Sequence, residues 1–272
     1  MKNKSIELIG ISGSGKSYTE QEIRIATKNY IRILNRREII INFIHKFLDL
    51  TIKEKLTIYY FNLLNIFKKK PIKQTAIRKK SSKIKNFNFT LGNFFRKNYT
   101  SLCKKIFNLY CLKNKKFKKQ LDILINNLEY MEREYILFWF YELCAARYIF
   151  EKTRDQNYVF LNDEGFIPKS FLFFYTKFKL KDKKKRILKY LETISYPDLG
   201  ILLYKNKEDI FKTHENRKKY NIQLFLNKKI LIDIFKINKD IEKYLNTRTK
   251  VIRIKNNHKI LEKLIRIIKS DV

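Results

Sequence analysis

Glycine and proline are scarce in this sequence, with 6 Gly and 3 Pro in 272 residues. Alanine occurs only at Ala26, Ala76, Ala145 and Ala146. The three cysteines, Cys103, Cys111 and Cys144, are odd in number and form no CxxC pair. That spacing argues against a disulfide framework or a zinc site and favours a reducing cytoplasm. The first residues are not a signal peptide, because Glu7 and a glycine loop interrupt any apolar region. Nor is there a comfortable membrane span. The most apolar stretch, Tyr135–Phe150, is short and carries Glu142 and Arg147, so it reads as a buried helix. Trp139 within it reads as core.

What the chain does contain is 44% hydrophobic and 15% aromatic residues, enough to build a core and to exclude whole-chain disorder. Its 61 Lys+Arg against 26 Asp+Glu leave a formal charge of +35. One reading is polyanion binding. The other is coding bias. Lys, Ile, Asn, Phe and Tyr are enriched together while Ala, Gly and Pro are depleted, as in an AT-rich genome, which spreads charge over solvated surfaces. The second reading is preferred, and a basic field steers phosphate-bearing small molecules in either case.

Half of the glycines lie in one window, Gly10-Ile11-Ser12-Gly13-Ser14-Gly15-Lys16-Ser17. It matches G-x-x-x-x-G-K-[ST] in full, between an apolar strand Ser5–Ile9 and a helix expected from Lys16 to about Asn29. Glycines let the main chain approach an anion, successive N–H groups form a nest, and the helix N-terminus adds partial positive charge. Gly10, Ser12, Gly13, Ser14, Gly15, Lys16, Ser17 and Tyr18 are therefore the expected nucleotide-binding residues, for ATP or GTP. Lys16 is placed to reach the β- and γ-phosphates and Ser17 to bind Mg²⁺.

Short apolar segments alternate with helical ones, which predicts an α/β fold with a parallel sheet covered on both faces. In the first helix Ile23 and Ile25 are expected to face inward. The second strand is expected near Glu38–Phe43, with Tyr30–Leu34 as the rival. Residues from about 53 to 120 carry recurring lysine clusters between Tyr, Phe and Leu, with Pro71 and Gly92 as the only clear breaks. They read as a basic helical insertion within a single domain spanning 1–272. A helix from Leu121 to Lys152, broken near Tyr130, comes next. Further strands are expected at Tyr158–Leu161, Leu199–Tyr204 and Val251–Ile254, with helices near Lys183–Ile194, Lys207–Leu245 and from Asn257 onward. In the last helix, Ile260, Leu261, Leu264, Ile267 and Ile268 share one stripe, expected to pack on the sheet.

The strand Tyr158–Leu161 runs into Asn162-Asp163-Glu164-Gly165. A phosphate loop needs a neighbouring acid to hold the metal or handle a nucleophile. Asp163 is the candidate for the metal and for catalysis, and Glu164 for catalysis. Among the cations after Leu199–Tyr204, Arg217 is the preferred lid residue, because a guanidinium grips phosphate bidentately.

On these motifs, together with Tyr196-Pro197-Asp198 and the closing Val251–Ile254 strand, the chain resembles P-loop small-molecule kinases of the thymidylate-kinase and adenylylsulfate-kinase type. It is also similar to members of that superfamily found in bacterial surface-polysaccharide gene clusters. The likeness covers the first twenty residues and about 130–270, not 45–125. It implies a P-loop three-layer fold with about five parallel strands, use of ATP·Mg²⁺, and transfer of a phosphoryl group to a small hydroxylated or phosphorylated acceptor. Two departures stand out. Many nucleotide kinases place an aspartate–arginine pair after the third strand, but here Asp163 is followed by Glu164. Lys212 and Arg217 stand where two lid arginines are expected. Nucleotide-monophosphate acceptors are thereby put in question. A nucleotide hydrolase or switch, and a nucleic-acid binder using the 53–120 segment, are the rival readings. Oligomeric state, a dimer included, is left open.

Overall fold

The computed structural model describes residues 3–68, 82–129, 133–219, 228–255 and 260–271. The chain begins with β1 (Lys4–Ile9), α1 (Lys16–Thr27), β2 (Ile33–Leu34), α2 (Arg36–Phe43), α3 (Ile52–Lys68), α4 (Ser82–Lys113), α5 (Lys115–Asn126) and α6 (Arg133–Lys152). It continues with β3 (Val159–Asn162), α7 (Phe166–Lys169) running into a 3-10 turn (Ser170–Tyr175), and α8 (Leu180–Leu191). Last come β4 (Leu199–Tyr204), α9 (Lys207–Lys219), α10 (Lys228–Leu245), β5 (Lys250–Lys255) and α11 (Ile260–Asp271). The five strands form one parallel sheet in the order β2-β3-β1-β4-β5.

Side-chain parity along the strands sorts the sheet into two faces. Ile6 and Leu8 of β1, Val159 and Leu161 of β3, and Leu199, Ile201 and Leu203 of β4 pack with Ile23 of α1 and Leu264 and Ile268 of α11. Their neighbours Ile9, Phe160 and Leu202 join the larger core built on the other face by α2, α4, α5, α6 and α8. Three layers result. Ile25 is 64% exposed, contrary to expectation, because it lies on the side of α1 away from Ile23. Of the expected stripe, Leu264 and Ile268 are buried and Ile267 is partly buried, while the side chains of Ile260 and Leu261 lie outside the described residues.

The run Glu38–Phe43 is helix, not strand. Asn35 accepts the Glu38 N–H at 3.0 Å while the Glu38 carboxylate accepts the Asn35 N–H at 3.0 Å. This reciprocal cap starts α2 and overrides the β preference of three consecutive isoleucines, all of which the helix buries. The strand falls to Ile33–Leu34, inside the rival segment. The expected helix Leu121–Lys152 is two helices, α5 and α6, with residues 130–132 outside the described ones. Helix α6 packs against α4 and α2 and buries Ile136, Phe140, Leu143, Cys144 and Ile149. Trp139 is only partly buried. Among the described residues, no helix is long and apolar enough to cross a membrane. The three cysteines are free and buried.

Candidate nucleotide site

Strand β1 ends at Ile9 and the chain turns over the carboxyl edge of the sheet through three glycines of positive φ: Gly10 (152°), Gly13 (90°) and Gly15 (93°). A side chain on Gly10 would place its Cβ 2.6 Å from the Leu203 main-chain oxygen, so only glycine lets the loop leave the sheet here. Gly15 precedes α1, which has no side-chain cap and no acid in its first turn. The helix's partial positive end is therefore not answered by a carboxylate of its own first turn. Lys16 folds back, its Nζ donating to the carbonyl oxygens of Gly10 (2.9 Å) and Ile11 (3.4 Å). Ser14 is buried and Ser12 half-buried within the loop. Tyr18 is 68% exposed, so its main-chain N–H is the part of it that can serve an anion.

The register of the sheet brings the second motif to this loop. Glu7 of β1 pairs with Asn162 of β3, so β3 extends one residue beyond its apolar run and Asp163 is the first residue past its end. Ser17 Oγ donates to Asp163 Oδ2 at 2.6 Å, joining residues 146 apart in sequence. Among the described residues no group of three or more His, Cys, Asp or Glu could hold a metal. The Ser17–Asp163 oxygen pair suits an ion such as Mg²⁺, which takes one or two protein oxygens and completes its shell with phosphate and water.

This is a three-layer α/β fold with its glycine loop at the carboxyl edge of a five-stranded parallel sheet. No protein-family profile matches the chain, and no curated protein matches it in sequence. Among solved structures it is similar to a thymidylate kinase from Candida albicans, described as having broad substrate specificity and a novel structural element. That match has 14% identity and a TM-score of 0.44, covering 99% of this chain and 92% of that one. It is also similar to a thymidylate kinase from Ehrlichia chaffeensis, with 10% identity, a TM-score of 0.35, and 98% and 99% coverage. At such scores and identities nothing about an acceptor follows from either.

Charged residues that the sequence did not single out surround the acid pair. Arg36, at the start of α2, lies 3.8 Å from Asp163 and 4.0 Å from Glu142 of α6. Burial works against its charge, but Glu142, Asp163 and Glu164 outweigh it and raise its pKa. Lys169 of α7 pairs with Glu164 at 2.8 Å. Its Nζ also stands 4.0 Å from the centroid of the Trp139 ring. Burial raises the Glu164 carboxyl, but Lys169, then Arg36 and Lys16, more than offset this and hold it down at about 2. Glu164 thus stays ionised and is a weak base. Glu20 of α1 is pushed up to about 7 by burial and by the charge of Asp163.

Tyr196-Pro197-Asp198 lies at the other end of the sheet. Asp198 accepts the main-chain N–H and the hydroxyl of Ser5 at 2.7 and 2.8 Å, tying the start of β4 to that of β1. Lys212 is exposed on α9. Arg217 belongs to the same helix, but its side chain, like that of His214, lies outside the described residues.

Glu7 is the remaining surprise, a carboxylate in the central strand. Its Oε1 accepts the Ile167 N–H at 2.8 Å, and its carboxylate lies where a Cβ on Gly165 would sit. It therefore ties β1 to the turn that bears Asp163 and Glu164. Burial pushes its pKa from 4.5 to about 7, against the Ile167 N–H and the charge of Arg147. A carboxyl raised on folding contributes stability fully below its unfolded value and loses it as pH rises through the folded one. The wild-type protein should lose up to about 3 kcal/mol from this group between pH 4.5 and pH 8. Glu20 acts in the same window, whereas Glu164 titrates below it. In Glu7→Gln the amide oxygen can still accept from Ile167, so the fall in stability should flatten by about 3 kcal/mol in urea titrations across that range. An identical pH slope in both proteins would show that Glu7 is not the group responsible.

Proposed function

We propose that this protein transfers the γ-phosphoryl group of ATP, with Mg²⁺, to a hydroxyl group of a small acceptor. The observation that carries this reading is the Ser17–Asp163 hydrogen bond, which couples the phosphate loop to an acid at the end of the adjacent parallel strand. Ligands of open parallel sheets bind at this edge. The loop amides and the start of α1 bind the phosphates. Lys16 exchanges its two loop carbonyls for β- and γ-phosphate oxygens. Ser17 and Asp163 hold the metal, which, when bound, neutralises charge on those phosphates.

In the transfer, the acceptor oxygen bonds to the γ-phosphorus and the bond from that phosphorus to the β–γ bridging oxygen breaks. ADP departs and the acceptor proton passes to solvent. Such a loose displacement asks the protein mainly for position and charge. Glu164, ionised and paired with Lys169, orients the acceptor and does not deprotonate it. Arg217, carried on α9, is assigned to closure over the phosphates. A hydrolase would need Glu164 to activate water, and a carboxyl held at about 2 is poorly suited to that.

A fluorescent ATP analogue and γ-labelled ATP test the proposal together. Uptake should strengthen with Mg²⁺ and weaken about tenfold to a hundredfold in Lys16→Ala, the range for a lost charge-assisted contact. Label should move to an organic acceptor in a pool of hydroxylated metabolites. Uptake unchanged in Lys16→Ala would remove the phosphate-loop assignment. Label released only as inorganic phosphate would replace transfer with hydrolysis.

A further inference from the structure

A cleft opens from the loop residues Gly10, Ile11, Ser12 and Lys16 and runs along the segment that follows β3. Its far wall is apolar, formed by Phe171, Leu172 and Tyr175 of the 3-10 turn and Ile234 of α10. Among the described residues, the charged groups in its lining apart from Lys16 are Glu164 and Lys169. These two are unequally presented. The Lys169 side chain is 6% exposed, with its head against Trp139, whereas the Glu164 side chain is 45% exposed. A molecule entering the cleft beyond the phosphate loop therefore meets a carboxylate with its cation tucked behind it.

We propose that the acceptor is an uncharged or cationic hydroxyl compound with an apolar body, bound through Glu164, and that phosphorylated acceptors are disfavoured. The proposal rests on the phosphotransferase reading above and narrows it. Glu164, whose carboxylate lies 2.8 Å from the Lys169 ammonium group, has only acceptor oxygens to offer, so it recognises hydroxyl or ammonium groups and repels a phosphate. Relief from nearby cations is limited. Arg36 is already shared between Asp163 and Glu142, and Lys169 is paired with Glu164 itself. The aromatic and aliphatic wall supplies non-directional affinity for a ring or hydrocarbon surface. The residue after Asp163 is thus an acid at the point where a phosphate-binding acceptor site calls for a cation.

The test uses the full chain saturated with a non-hydrolysable ATP analogue and Mg²⁺. Matched pairs are titrated in: thymidine and thymidine 5′-phosphate, uridine and uridine 5′-phosphate, phenyl glucoside and its 6-phosphate. Trp139, the single tryptophan, reports binding by fluorescence because Lys169 touches its ring. The unphosphorylated member should bind about tenfold tighter or more. Glu164→Arg should reverse that order, and Glu164→Gln, which keeps the shape, should narrow the gap. Tighter binding of the phosphorylated members to the wild-type protein would overturn the proposal. So would an order unaffected by both variants, or no binding by any pair while the analogue is still taken up. Failure to take up the analogue would instead overturn the phosphate-loop reading beneath it.

Discussion

Replacing Asp163 with alanine is expected to lower phosphoryl transfer by roughly a thousandfold, the scale seen when a preorganised group acting on transition-state charge is removed. Asp163 is the first residue past β3 and the hydrogen-bond partner of Ser17, so its loss takes away the carboxylate placed against that serine. Metal-free nucleotide uptake should change by less than about threefold, because the loop amides and Lys16 are untouched. Asp163→Asn separates geometry from charge. Its amide oxygen can still accept from Ser17, but it offers a metal no anion, so a loss of about a hundredfold is expected, together with a higher Mg²⁺ requirement. The measurement is the initial rate with labelled ATP across a Mg²⁺ series, with transfer to water as the readout where no acceptor is taken. Rates in both variants close to the wild type at every Mg²⁺ concentration would take Asp163 out of the site.

The contrast between Asp163 and the residues around it shows how far the site is legible from sequence. The loop is local. Its glycines, lysine and serine sit at fixed offsets between a strand and a helix, and the geometry follows from that pattern. Asp163 is nearly as legible, since an acid after an apolar run needs only the strand assignment, and the parallel register does the rest. Arg36, Glu142 and Lys169 come from three other elements and meet only through tertiary packing. In a chain with 61 Lys+Arg no single cation stands out. Glu7 did carry a signal, as an acid between Ile6 and Leu8 in a strand that must be buried. What hid its role is that the partner, the Ile167 N–H, is 160 residues away.

The error at Glu38–Phe43 has the same origin at a smaller scale. Three isoleucines in a row fit a buried strand, but they fit equally well a short helix buried on most of its sides, packed on α6 and next to the sheet. The arbiter was the Asn35–Glu38 spacing, a start signal independent of hydrophobic pattern. Its consequence reaches the site, because the helix that begins there carries Arg36 to within 3.8 Å of Asp163.

Two glycines near the end of β1 give the sharpest test of how the loop is held. At Gly10, φ is +152°, a region that side-chain-bearing residues rarely adopt, and an added Cβ would lie 2.6 Å from the Leu203 main-chain oxygen. Leu203 belongs to β4, whose main chain is in register with β1 on one side and β5 on the other, so the strand has little room to shift away. Gly10→Ala should therefore destabilise the fold by about 3 kcal/mol or more, through strain and overpacking, and should abolish nucleotide uptake. Gly200, in β4 beside Ile9, is a different case. There an added Cβ meets the Ile9 Cδ1 at 2.8 Å, the far end of a side chain that can rotate away. The smaller entropy of the unfolded alanine chain also offsets part of the crowding. Gly200→Ala should cost less than about 1 kcal/mol and leave nucleotide uptake intact. Urea titration of the two variants in parallel decides the matter. Equal stability losses would mean that crowding alone governs both sites, and wild-type uptake by Gly10→Ala would mean that the loop does not need its left-handed turn to receive a phosphate.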